Sequence, residues 1–231
     1  MLFSTIRSLI AGQSVDISMV IAQVVSVLFV IICILPLHEY AHGWMANKLG
    51  DPTAKLEGRL TFNPLASVDP MGALFLLLFG FGWAKPVPVD SRYFKKPKRD
   101  MAITALAGPV SNFLAALLGA LLFYAVALFL PQNWIVMFLR YFLSSYVLIN
   151  ISLAVFNLLP LPPLDGSRII GAFLSDRALA AYYRYQNIIV MVVFLLMVTG
   201  FLSTPLSYAQ NFFTKIILTI AEFPYRIFGA L

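Results

Sequence analysis

The sequence predicts an all-α polytopic membrane protein, with a three-helix core, a short re-entrant or β-hairpin element and additional C-terminal helices. Three observations carry this. The 231 residues are 61% hydrophobic and only 11% charged, too little polar surface to cover a soluble globule of this size. Four stretches, 17–48, 101–130, 134–159 and 186–202, are apolar over about the 20 residues that a bilayer-spanning helix needs. When these stretches are threaded in and out of a bilayer, most Lys and Arg residues gather on one side. The chain reads as one membrane-embedded domain, 1–231, with its core at about 17–171 and a helical extension at about 172–231.

The N-terminal "MLFSTIRSLIAGQSVDIS" has an apolar part too short for a cleaved signal and reads as an uncleaved interfacial segment. The first apolar stretch, 17–48, holds the single cysteine, Cys33, read as a small buried group; one cysteine allows no intrachain disulfide. The stretch 71–83, "MGALFLLLFGFGW", is apolar but short, which suits a re-entrant or interfacial element better than a span. It leads into "GWAKPVPVD" (82–90), where prolines alternate with Val87 and Val89: extended chain, a hairpin edge that cannot donate from its proline nitrogens.

Stretch 101–130 carries two rows of small residues at four-residue spacing, Ala107, Ser111, Ala115, Gly119 and Gly108, Asn112, Ala116, Ala120. Such rows let helix backbones approach closely, so this helix is expected between the spans at 17–48 and 134–159, with Asn112 as interhelical glue. Stretch 186–202 is expected to span; 205–223 is amphipathic and is left open. If 71–83 does not cross, the basic residues from Lys48 to Arg99 share one side with Arg168, Arg177 and Arg184. That side is the cytoplasmic one, and the link "STPLSYAQ" (203–210) lies opposite. Tyr182, Tyr183 and Tyr185 read as an aromatic interface belt, and "YFKKPKRD" as a basic anchor attracted to anionic lipid.

The chemistry begins at "HEYAH". His38 and His42 are four apart, on one face of a helix, with Glu39 on the adjoining face. This HExxH spacing holds a zinc ion between two imidazoles with a glutamate beside a metal-bound water. The chain's only two histidines both lie in it, at the end of an apolar span where ionisable groups are costly. A third protein ligand is needed. Cys33 is on nearly the opposite helix face. Of the ten acidic residues, Asp16 is at the far end of the first span, while Asp51, Glu57, Asp90, Asp100 and Asp176 read as ordinary loop or interface charges. Asp165 closes the proline-broken "NLLPLPPLD", whose unwound backbone at membrane depth requires a lined cavity. Asp165 is therefore the expected ligand, with Asp69 and Glu222 as weaker competitors.

HEYAH on one span and NLLPLPPLDG after a later one resemble the site-2 protease family of intramembrane zinc metalloproteases. "GRLTFNPLASVDPMG", "GWAKPVPVD" and "AGPVSNF" are similar to its compact bacterial branch. The resemblance covers 37–171. It implies one zinc ion per chain held by His38, His42 and Asp165, Glu39 as catalytic base, and a place in the bacterial cytoplasmic membrane. Its substrates would be transmembrane segments of other membrane proteins, hydrolysed within or near the bilayer. Asn157 and Pro163 match positions linked to handling the substrate strand; Asn157 reads equally well as a cap on the unwound helix end. Ser67 stands where a histidine is common in the family. Val87 and Val89 are the edge with which an extended substrate would pair.

The net charge of +6 does not read as a nucleic-acid footprint, because the basic residues follow the membrane topology and no nucleic-acid motif is present. The competing class is a non-proteolytic membrane protein, a metal-binding chaperone or a transporter with midplane charges. An intact glutamate between the two histidines favours the enzyme.

Overall fold

The computed structural model describes residues 16–79, 82–227 and 229. The interfacial reading of the N-terminal segment falls on 1–15, outside the described residues. The chain enters α1, Ile17–Phe29, through Asp16, whose carboxylate accepts the N–H groups of Ser18 and Met19. It passes a single π turn, Val30–Ile34, into α2, Leu35–Lys48. Pro36 explains the π turn: it has no N–H, and its ring crowds the carbonyl four residues back. The ladder slips, and the Leu35 N–H reaches the Val30 carbonyl instead. One inserted residue turns the face of α2 by about 100° relative to α1, which sets where HEYAH points.

Three short helices follow: α3, Thr53–Leu56; α4, Pro64–Ser67; and α5, Pro70–Phe79. Helix α5 is about 15 Å long, half a bilayer core. The residues on either side of it meet, since Val68 and Ala84 form an isolated antiparallel bridge and the Lys85 N–H donates to the Ser67 carbonyl at 2.7 Å. Among the described residues no ladder extends this bridge; Pro86 and Pro88 supply no donors for one.

Helix α6, Pro97–Phe129, starts with proline at its first turn and with the buried Asp100 accepting the Lys96 N–H. Helix α7, Trp134–Asn157, is capped by Asn133. The stretch Ile17–Lys48 and helices α6 and α7 are long and apolar enough to cross a membrane. Helix α6 packs on both α2 and α7, and α1 packs on α7. Val27, Val30 and Ile34, Ala116 and Ala120, and Tyr146, Ile149 and Leu153 form the shared core. Ser26 adds an interhelical bond to the Phe142 carbonyl. Cys33, expected to be buried, is exposed on the outer face of the first span.

The C-terminal extension is α8, Asp165–Gly171; α9, Asp176–Arg184; α10, Gln186–Val198; and α11, Ser203–Ile227. Among the described residues, neither C-terminal stretch is a helix both long and apolar enough to cross a membrane. Stretch 186–202, read as a span, is a helix of 13 residues, about 20 Å, and the chain turns at Gly200 with φ +76°. The doubtful stretch 205–223 belongs to the 25-residue α11, packed on α6 and α7. Phe213 meets Phe113 at 4.7 Å, and the Tyr225 hydroxyl donates to the Leu121 carbonyl, so α11 ascends parallel to α6. Ser203 therefore lies toward the end of the bundle where α6 begins, and the link at 203–210 is not opposite it. Arg226 and Glu222 pair at 2.7 Å on successive turns of α11.

Candidate metal and active site

His38 and His42 project from one face of α2, with their Nε2 atoms 3.0 Å apart. Asp165, the first residue of α8, brings Oδ2 to 3.3 Å from His38 Nε2 and 3.2 Å from His42 Nε2. All three residues are buried. Gly166 lets Asp165 arrive: a Cβ there would run into the carbonyl oxygens of Leu158 and Leu159, where α7 ends. Neither competitor is at the site. Asp69 caps α5 by accepting the Gly72 N–H, and Glu222 is held by Arg226.

The histidines are oriented from behind by α6. His38 Nδ1 donates to Asn112 Oδ1 at 3.2 Å, and His42 Nδ1 donates to the Thr104 carbonyl at 2.8 Å. A proton fixed on each Nδ1 leaves each Nε2 with a lone pair for a metal. Gly108 lies midway between Thr104 and Asn112 on the same helix face. A Cβ at Gly108 would come within 2.6 Å of His38 Nε2, and nearer still to His42 Nε2, so only hydrogen fits there. The antiparallel register of α2 and α6 thus places a carbonyl, a gap and an amide oxygen along the His42 to His38 edge.

These residues fit a zinc ion. Three acceptor atoms converge with no donor among them, and Asp165 Oδ2 is buried without a hydrogen bond. A cation resolves that repulsion. Ligand atoms about 2.0 Å from a tetrahedral ion are about 3.3 Å from one another, close to the separations between 3.0 and 3.3 Å seen here.

Glu39 is buried beside the cluster, and its Oε2 accepts the Val87 N–H at 2.8 Å. The segment around Val87 is strapped down by side chains. Arg59 Nη2 donates to the carbonyls of Lys85 and Pro86, and Asp51 Oδ2 accepts the Asp90 N–H. Asp51 and Asp100, read as ordinary charges, are in fact buried anchors of loop and helix backbone. Val87 is itself buried, with its N–H committed to Glu39, whereas Val89 is half-buried. Asn157 Nδ2 donates to the Leu153 carbonyl within α7, Pro163 is exposed on the loop before Asp165, and Ser67 is buried. Thr104 and the histidine-facing roles of Gly108 and Asn112 escaped the sequence reading. The signal for the last two was the small-residue row in α6, which announces close approach without saying what approaches.

The bundle and its cluster define a class: α-helical membrane proteins with a buried two-histidine, one-carboxylate metal-type site and an adjacent glutamate. Residues 131–200 match the model of Peptidase family M50. The chain is 46% identical over 137 residues to "Putative zinc metalloprotease YwhC" of Bacillus subtilis, covering 58% of this chain and 62% of that one. It is 32% identical over 170 residues to "Putative zinc metalloprotease Rip2" of Mycolicibacterium smegmatis, covering 69% and 62%. It is 31% identical over 135 residues to "Putative zinc metalloprotease MJ0611" of Methanocaldococcus jannaschii, covering 58% and 62%. No solved structure matches the chain. The chain is thus similar to peptidase family M50 over residues 131–200 and to these putative zinc metalloproteases over more than half of its length. It spans less than two thirds of the length of the curated relatives it matches.

Proposed function

We propose that the protein is an intramembrane zinc metalloprotease of a bacterial cytoplasmic membrane, with its site recessed from the cytoplasmic face. Its substrates would be transmembrane segments of other membrane proteins. The observation that carries this reading is the convergence of His38, His42 and Asp165, from helices far apart in sequence, with Glu39 alongside. His38, His42 and Asp165 would hold the ion. Zinc, when bound, brings the pKa of a coordinated water toward 7 and polarises a carbonyl. Glu39 is then the base that takes the proton from the attacking water and returns it to the leaving amide nitrogen.

A substrate helix hides its amides in its own hydrogen bonds and must unwind locally before attack. In this reading α5 dips into the bilayer and returns, and the unwound stretch pairs with the edge at Val87 and Val89. Because Glu39 holds the Val87 N–H, substrate engages first at Val89; pairing at Val87 exchanges with the carboxylate and frees it for proton transfer. Asn157 and Pro163, at the mouth between α7 and α8, would hold the other side of the strand. The basic residues of 48–99, with those of α8 and α9, support the cytoplasmic orientation.

The test is metal analysis of purified protein together with cleavage of a transmembrane substrate. Glu39→Gln should keep one zinc per chain and lose cleavage by 10²-fold or more, the scale of a general base. Asp165→Ala should lose both. Undiminished cleavage by Glu39→Gln would refute the assigned base, and full zinc occupancy in Asp165→Ala would refute the ligand set.

A further inference from the structure

We propose that the groove between the first turns of α6 and the outer face of α8 binds an anionic phospholipid. The groove is a cavity of about 790 Å³, lined by Lys96 and Arg99 at the first turn of α6, by Ile103 and Leu106 farther along that helix, and by Ile169 and Phe173 on the facing wall. This sorting runs along a helix able to cross the membrane, so charge and apolar surface are ordered by depth over the roughly 15 Å from Lys96 to Leu106. A phospholipid has the same order, an anionic head above an acyl chain. The cations are available. Lys96 is exposed, and its ammonium makes no hydrogen bond or ion pair among the described residues. Arg99 commits Nε and Nη2 to Asp100, which leaves Nη1. Lys98, by contrast, is spent on Asp176 at 2.7 Å and on the Leu174 carbonyl. The apolar lining is uncovered: Phe173 is 84% exposed and Leu106 40%.

An acidic end of a protein substrate would match the cations as well, but not the place. Arg99, Ile103 and Leu106 lie on the face of α6 opposite Thr104, Gly108 and Asn112, so a strand reaching the histidines does not run through this groove. The second wall belongs to α8, whose first residue is Asp165. An occupant bridging the walls therefore clamps the ligand-bearing helix to α6. The site depends on depth, charge and groove shape, not on peptide hydrolysis, and its test does not read cleavage.

The full chain is placed in nanodiscs of equal phosphatidylglycerol and phosphatidylcholine, and the lipids it retains are read by native mass spectrometry. Wild type should retain phosphatidylglycerol at least five-fold over phosphatidylcholine, and Lys96→Gln should lower that preference about five-fold, the effect of one surface cation. Phe173→Ser, at a position too exposed to matter for folding, should lower retention of both lipids. Equal retention by wild type overturns the proposal, as does an unchanged preference in Lys96→Gln. So does capture of an acidic peptide with an apolar segment, weakened by Lys96→Gln, in discs where neither lipid is preferred; that outcome would assign the groove to a protein partner.

Discussion

The two halves of α6 use the same device for opposite ends. In the half near the site, Gly108 brings α2 so close that polar groups meet: Thr104 and Asn112 turn two imidazoles toward Asp165. In the other half, Ala116, Gly119 and Ala120 bring α7 equally close, and what meets is apolar, with Tyr146 and Val147 against the glycine. A row of small residues sets distance alone. The partner helix decides whether closeness is spent on packing or on chemistry.

The sharpest way to break this comparison is to put one methyl group in each half. Gly108→Ala should reduce bound zinc to background and abolish cleavage, because the new Cβ occupies the space facing both Nε2 atoms. Gly119→Ala places its Cβ 2.5 Å from the Tyr146 ring. It should cost about 1–3 kcal/mol of stability by overpacking, while the folded fraction keeps one zinc per chain. Metal analysis and thermal unfolding of both variants check this; full zinc loading in Gly108→Ala would show the two halves to be equivalent.

A smaller effect is expected at Asn112. Asn112→Leu keeps the volume, removes the acceptor on His38 Nδ1 and should weaken zinc binding by about 10–100-fold. Asn112→Asp restores an acceptor and should restore affinity, which a residue needed only for packing would not do. Competition with a graded series of chelators measures both.

The parts of this molecule that were legible in the sequence are those whose signal is local. Span length and apolarity marked the first span, α6 and α7, and the four-residue spacing of His38 and His42 marked the metal-type face. Asp165 stood out because prolines break a helix visibly, and the fold brings it to the two histidines. What escaped depends on distant partners. Glu39 reaches Val87, Arg59 reaches Pro86 and Asp51 reaches Asp90, and no pattern inside 82–90 announces that side chains, not a ladder, hold it. The shortness of α10 was hidden for a different reason: hydropathy averages over a window and passes over the turn at Gly200.

The smallest expected effect tests whether α11 belongs to the packing half of the comparison. Tyr225 donates to the Leu121 carbonyl and lies 5.9 Å from the Tyr124 ring, contacts near the far end of a helix running parallel to α6. Tyr225→Phe removes the hydroxyl and keeps the ring. It should lower stability by about 0.5–1.5 kcal/mol, the net worth of one hydrogen bond, and leave zinc content untouched. If α11 ran the other way, Tyr225 would sit at the opposite end of α6, where neither Leu121 nor Tyr124 is in reach, and the substitution would change nothing. A cysteine pair at Tyr124 and Tyr225, crosslinked by a short bifunctional reagent in the intact membrane, separates the two directions independently. Parallel packing gives an intrachain product, and antiparallel packing gives none.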